Sequence, residues 1–183
     1  LRYTPVNIFY LSNNPTECAQ QHVDKHVVKM ILEYGQLMST AHRVLDGQPY
    51  YGKTKNNRNI QRWLLPDSRE EVIWKASHFN HPSGIWVRQS SDHYKWLYNL
   101  WIEMLSEYTH RYSKKHSAER MKDIFSRLPK NIPHKGWLSD PTPAMPDEYK
   151  ASNVIQSYRN FYIGDKKSFA TWKNRDTPAW FAL

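Results

Sequence analysis

The stretch from Asn14 to Arg43 constrains the fold most, because it reads as one long helix and so dictates what must pack around it. It opens Asn14-Pro15-Thr16-Glu17, with an Asn able to cap, a Pro at the first helical position and a Glu three residues after the cap. No Gly or Pro follows until Gly35. At 100° per residue, Ala19, Val23, Val27, Met30, Ile31, Tyr34, Leu37, Met38 and Ala41 share one broad face, which Val28, Leu32 and Gly35 widen. What remains is a polar stripe of His22, His26, Lys29, Glu33, Gln36 and Thr40, with Lys25 beside it. Such a stripe is either the solvated side of a surface helix or a file of titratable groups on a core helix. The residues alone leave both readings open.

Around this stretch, Val6 to Leu11 is a short apolar run that fits a short strand or an extended segment packed under the helix. Asp46-Gly47 closes the first helical region, and Gln48 to Asn59, polar and basic, reads as a loop. Pro66-Asp67-Ser68 announces a helix to about Ser77; a short helix is expected from Ser83 to Gln89, and a long one from Ser91 to about Ser113. The long one carries Trp96, Leu97, Leu100, Trp101, Met104, Leu105 and Tyr108 and is the expected partner of the first. Ser117 to Leu128 reads as a further short helix. Pro129 to Asp147 holds five of the eleven prolines and cannot be regular structure. A last helix runs from about Asp147 to Ile163, with Gly164 as its stop. The expected fold is mainly α: a single domain over 1–183, a helical bundle around one long N-terminal helix, with a short N-terminal strand as an option and a long Pro-rich loop.

A chain of 183 residues with 39% hydrophobic and 23% charged residues suits a globular domain with a full core, not a disordered one. The net charge of +9 favours a polyanionic partner, nucleic acid first. Eight Trp and twelve Tyr supply bulk for a core and also platforms on which bases stack. The single Cys18 excludes an intrachain disulfide framework and a Cys-based zinc cluster, and points to a reducing compartment. There is no apolar run of membrane-spanning length and no secretory-signal pattern, so a soluble, cytoplasmic protein with no membrane partner is expected. The chain begins at Leu1 without Met, so its first residues read as a processed end or an added remnant.

His22 and His26 stand at i and i+4, the spacing by which a helix offers two ligands to one metal. The zinc-protease pattern puts Glu directly after the first His, where this chain has Val23, and nothing else resembles a ligand cluster; no metal and no cofactor is expected. General acid–base chemistry suits the stripe better. His26 is expected to titrate near neutrality, and Glu33 to be tuned by Lys29. Lys29, or else Lys25, is a candidate amine nucleophile. The catalytic candidates are therefore His22, Lys25, His26, Lys29 and Glu33. Asp24 lies off the stripe and is expected to hold a neighbouring element by a hydrogen bond or ion pair. The C-terminal region interleaves aromatics with cations, so that phosphates would take the cations and bases could stack on the rings. With the His81-Pro82 turn added, the nucleic-acid candidates are His81, Arg88, Tyr158, Arg159, Tyr162, Lys166, Lys167, Trp172, Lys173 and Arg175. The same residues also fit structural roles, as a turn and an amphipathic helix end.

The run Asp24-Lys25-His26-Val27-Val28-Lys29-Met30 resembles the core of a group of uncharacterised phage-type proteins. More distantly, the chain resembles the pyrimidine-dimer DNA glycosylase/AP lyase family. The shared pieces are Ala19-Gln20-Gln21-His22, Asn80-His81-Pro82 before a long aromatic-rich helix, and the tyrosine-and-lysine region from Tyr158 to Lys167. That family uses the amine of its N-terminal residue as nucleophile and places a Glu seven residues after the His matched by His22; here that position is Lys29, and Glu33 follows one turn later. The resemblance therefore implies a helical scaffold facing DNA, with glycosylase/lyase-like chemistry, another base modification, or transfer to a modified base. A non-catalytic nucleic-acid-binding protein with structural histidines is the competing expectation.

Overall fold

Residues 6–181 are described by a computed structural model. What precedes Val6, including the chain end at Leu1, lies outside the described residues. The chain is mainly α, and the expected long helix is two. Helix α1 (Pro15–Gln21) begins as read, with the Asn14 side chain accepting from Glu17 N at 3.0 Å. It stops at His22, and α2 (Asp24–Asp46) starts after the extended Val23. In an unbroken helix Gln20 O would accept from Asp24 N. Here Gln20 O accepts from Arg111 Nη2 at 2.9 Å, and Asp24 N donates to Thr171 O at 2.8 Å. Arg111 Nη1 also takes His22 O at 2.8 Å, and Trp172 Nε1 takes Gln21 O at 2.8 Å. Partners distant in sequence thus satisfy the carbonyls of Gln20, Gln21 and His22 at the break. Asp24 holds neighbouring elements as expected: Oδ1 meets Arg111 at 2.9 Å, and Oδ2 accepts from Thr171 Oγ1 at 2.7 Å.

Past α2, Gln48–Asn59 is not a loop. Strands β1 (Gln48–Lys53) and β2 (Asn59–Leu64) form an antiparallel hairpin with Lys53 opposite Asn59. The expected helix to Ser77 shrinks to one turn, α3 (Arg69–Val72). Helix α4 (Pro82–Gln89) opens on His81 with Pro82 in its first turn, where proline costs no hydrogen bond. Helix α5 (Ser91–Tyr112) is capped by the Ser90 side chain and ends at Ser113 in the left-handed region. A 3₁₀ turn (Ser117–Met121) leads into α6 (Lys122–Phe125), and α7 (Val154–Asp165) starts at Asn153, whose side chain caps Gln156 N. The Pro-rich stretch is irregular apart from a 3₁₀ turn at Asp147–Tyr149, and it straps the start of α5. Ser90 Oγ donates to the carbonyls of Lys135 and Gly136, and Leu138 N meets His93 Nε2.

The core forms where α2 meets α5. Met30, Ile31, Tyr34 and Met38 are buried with Leu97, Leu100, Trp101 and Met104, and Trp101 Nε1 donates to Ile31 O at 3.0 Å. Val6–Leu11 is buried without joining a sheet and turns at Tyr10, where Leu11 N donates to Phe9 O at 3.0 Å; Phe9 N donates to Tyr34 Oη. Val28 and Leu32, expected to widen the buried face, are each 43% exposed. No described helix is long and apolar enough to cross a membrane.

Candidate functional site

The polar stripe survives on α2 from His26 onward, and its members differ in environment. Lys29 is 66% exposed and reaches Glu33 across one turn, Nζ to Oε1 3.8 Å. Glu33 is 27% exposed, and burial pushes its carboxyl pKa above the ordinary value against the opposing pull of Lys29 and His78. Glu33 and Gln36 line a small cleft of about 50 Å³ with Val6, Leu37, Ser77 and His78. The opposite wall is fixed by Thr40, whose Oγ1 donates to Ser77 O at 3.3 Å and accepts from Ser77 N at 3.1 Å. His78 turns the chain there in the left-handed region, φ 48°.

Arg88 stands behind that wall. Its Nη2 donates to Phe79 O at 2.7 Å, its Nη1 is buried without a hydrogen-bond partner, and burial lowers the pKa of the guanidinium. A Cβ on Gly84 would lie 3.6 Å from that Nη1, 3.4 Å from His78 O and 3.9 Å from Leu37 Cδ2, so Gly84 sits between the guanidinium and two cleft residues.

His22 and His26 are core residues. Because a carbonyl can only accept, the 2.7 Å contact of His22 Nδ1 with Cys18 O makes Nδ1 the protonated nitrogen. Nε2 then accepts from Tyr34 Oη at 2.7 Å, and Tyr34 in turn accepts from Phe9 N. His26 Nδ1 lies 2.6 Å from Tyr162 Oη, with its ring stacked on Phe9 at 4.2 Å between centroids. Burial lowers the His22 pKa to about 4 and that of His26 to about 2, the latter helped by His22, Lys166 and Lys29. The expectation that His26 titrates near neutrality is thus corrected: desolvation holds the ring neutral.

The nucleic-acid candidates divide. Tyr158 and Tyr162 are fully buried, and Trp172 is buried with its Nε1 on Gln21 O, so none of the three offers an open ring face as anticipated. Arg175 is committed to Glu107, Nε to Oε1 2.9 Å and Nη2 to Oε2 3.0 Å. Arg159 Nε donates to Leu11 O, with the guanidinium over Trp180. His81 is buried at the start of α4, with Val6 N and Ser83 N facing its two ring nitrogens. Lys167 and Lys173 are exposed, the latter over the Tyr112 ring at 5.4 Å. Lys166 lies over Phe161 at 4.6 Å and shares Phe169 with Lys25, which sits 4.6 Å above that ring. The structure therefore gathers Lys25 and Lys166 around Phe169, with Lys29 one turn along α2 and Lys167 adjacent in the chain. His26 lies beneath, 6.1 Å from Phe169.

Sequence reasoning gave no site role to Ser77, His78 or Phe169, which lie in irregular or 3₁₀ segments with no periodicity to mark them. It also missed a second cavity, about 320 Å³, lined by His42, Arg69, Arg127, Leu128 and Lys130 among others. There Tyr94 Oη donates to Phe125 O, so His42 Nε2–H donates to Tyr94 and His42 Nδ1 accepts from Arg69. Arg69 is pinned by Asp46 and Asp67, which leaves its guanidinium no spare donor pair for a ligand. Among the described residues, no group of three or more His, Cys, Asp or Glu is placed to hold a metal ion. Compared with protein-family models, with curated proteins and with solved structures, the chain gives no match.

Proposed function

We propose that this protein is a nucleic-acid base-processing enzyme, acting on DNA with glycosylase/lyase-like chemistry at the exposed file of α2. The observation that carries the reading is Glu33: a partly buried carboxyl with raised proton affinity, at a cleft on the edge of a cationic face. A carboxyl whose proton affinity burial has raised holds and passes a proton more readily than a solvated one, as general acid–base catalysis requires. Lys29, or Lys25 one turn before it, is the amine; Lys166, Lys167 and Lys173 take phosphates. His22 and His26 lie in the core on Tyr34 and Tyr162 and stay neutral. The buried state of these two rings favours one alternative, a non-catalytic nucleic-acid-binding protein. Transfer to a modified base would use the same cleft.

Borohydride trapping on duplex DNA with an abasic site separates these readings. The lysine amine attacks C1′ of the opened sugar, water leaves, and hydride reduces the imine to a stable crosslink. A crosslink is expected from the wild type, falling about 10²-fold in Glu33→Gln while affinity for the duplex stays within about 2-fold. Tight binding with no crosslink would replace the lyase with a binder or a transferase.

A further inference from the structure

From Gly47 to Pro66 the chain holds no Asp or Glu, yet it carries Lys53, Lys55, Arg58 and Arg62. These residues build the β1–β2 hairpin. Its root is anchored: Trp63 is buried with its ring 4.9 Å from Phe79, Arg62 donates to Ala76 O, and Trp63 O accepts from Arg43 Nη1 at 2.9 Å. Gly47 is required at that root, since a Cβ there would lie 2.5 Å from Arg43 O and 2.9 Å from Trp63 Cβ. The tip is ordered as well. Thr54 N donates to Arg58 O at 2.9 Å, Thr54 Oγ1 accepts from Arg58 N at 3.1 Å, and Asn57 takes the left-handed conformation that closes the turn.

Between root and tip, alternation puts Tyr51 and Lys53 on one face with Gln61 and Asn59 opposite them. Tyr51 is 77% exposed. Among the described residues, Lys53, Lys55 and Arg58 form no ion pair with an acidic group. The ribbon thus offers unneutralised cations at its tip and, on one face, an aromatic ring, a cation and two amides. Asn and Gln amides read adenine edges, and the major groove of a DNA duplex, roughly 12 Å wide, admits a two-stranded ribbon. A ribbon already ordered loses little freedom on docking. We infer that the β1–β2 hairpin is a duplex-DNA-reading arm that enters the major groove, with Lys53, Lys55 and Arg58 on the flanking phosphates. This surface is separate from the α2 face, and the inference rests on the reading of the partner as nucleic acid.

The test is fluorescence anisotropy of the whole protein with a labelled DNA duplex and one of its single strands, over a series of salt concentrations. The hairpin triple variant Lys53→Gln/Lys55→Gln/Arg58→Gln is compared with Lys114→Gln/Lys115→Gln/Lys122→Gln, which removes equal charge from exposed positions elsewhere. The hairpin variant is expected to lose about 10-fold or more in duplex affinity, and its log–log salt slope should shrink by about 2–3, near 0.9 per lost phosphate contact. The control should change the slope by less than ~1. Equal losses in both triples would reduce the effect to net charge and overturn the arm. So would an unchanged hairpin variant in a protein that does bind DNA, and so would equal losses for single strand and duplex. Wild-type affinity no greater than that of an unrelated protein of similar charge would instead remove the nucleic-acid reading itself. If the triple melts well below wild type, Arg58→Gln alone is measured, with one slope contact expected to go.

Discussion

His22, His26 and His42 enter the core as neutral hydrogen-bond relays, and their pKa values of about 4, 2 and 4 lie below the roughly 6.5 of an exposed histidine. Between those values the unfolded chain binds protons that the folded one refuses. Stability is therefore complete above about pH 6.5 and declines as pH falls toward 4, with His26 extending the loss lower. At ~1.4 kcal/mol per unit, His22 and His42 each account for about 3 kcal/mol over the window, a large share of the roughly 5–15 kcal/mol of a typical domain. Melting temperature followed from pH 7.5 to 4.5 should hold above pH 6.5 and fall steeply below it. His26→Gln, which keeps a polar partner for Tyr162 but cannot titrate, should lower the plateau and flatten the fall. A wild-type melting temperature level down to pH 5 would mean that these rings are more solvated than their burial indicates.

At the scale of elements, α2 and α5 hold the molecule together through Trp101, which is fully buried in the core and fixed to Ile31 O. Trp101→Ala should cost about 3–5 kcal/mol in denaturant unfolding, whereas Tyr51→Ala on the exposed ribbon should stay within about 0.5 kcal/mol. A Trp101→Ala cost below ~1.5 kcal/mol would show that the α2–α5 contact is looser than its burial implies. Elements whose caps and apolar period agree could be read in advance. α4 begins at His81-Pro82 and α5 begins within a residue of its expected start, whereas α7 starts at Val154, not near Asp147, and runs through Gly164 to Asp165. The break at His22–Val23 could not be read, because no residue there forbids a helix. Arg111, Thr171 and Trp172 impose it from far along the chain. The hairpin was hidden for a different reason: its five-residue turn, Thr54–Arg58, contains no glycine, and the left-handed position falls to Asn57. At the site, Lys29 and Glu33 follow from helix spacing alone. The burial of His22 and His26 follows only from Phe9, Tyr34, Tyr162 and Phe169 closing over them, which no local pattern announces.

Over the whole molecule, charge is sorted by depth. Arg43, Arg69, Arg111 and Arg175 are neutralised by Glu70, Asp46, Asp67, Asp24 and Glu107. These pairs take up five carboxylates against four guanidiniums, so the surplus of +9 falls to the remaining cations, including the hairpin tip and the Lys25–Lys29–Lys166 face. A polyanion that binds this arrangement must stabilise the fold by mass action. Duplex DNA at 100-fold its Kd should add about 2.7 kcal/mol, or roughly 5–10 °C in Tm for a chain of this length. The unfolded chain is also basic and binds DNA weakly, which subtracts from the shift. A net rise therefore measures how much better the folded surfaces present their cations than the bare sequence does. Raising salt from 50 to 200 mM should erase most of the rise, because each phosphate contact releases a counterion. The expected result is a DNA-dependent increase in Tm at low salt that exceeds the one given by poly-glutamate of equal charge. A fall in Tm, or equal rises with DNA and poly-glutamate, would mean that the charge sorting serves solubility and that the folded exterior has no preference for nucleic acid.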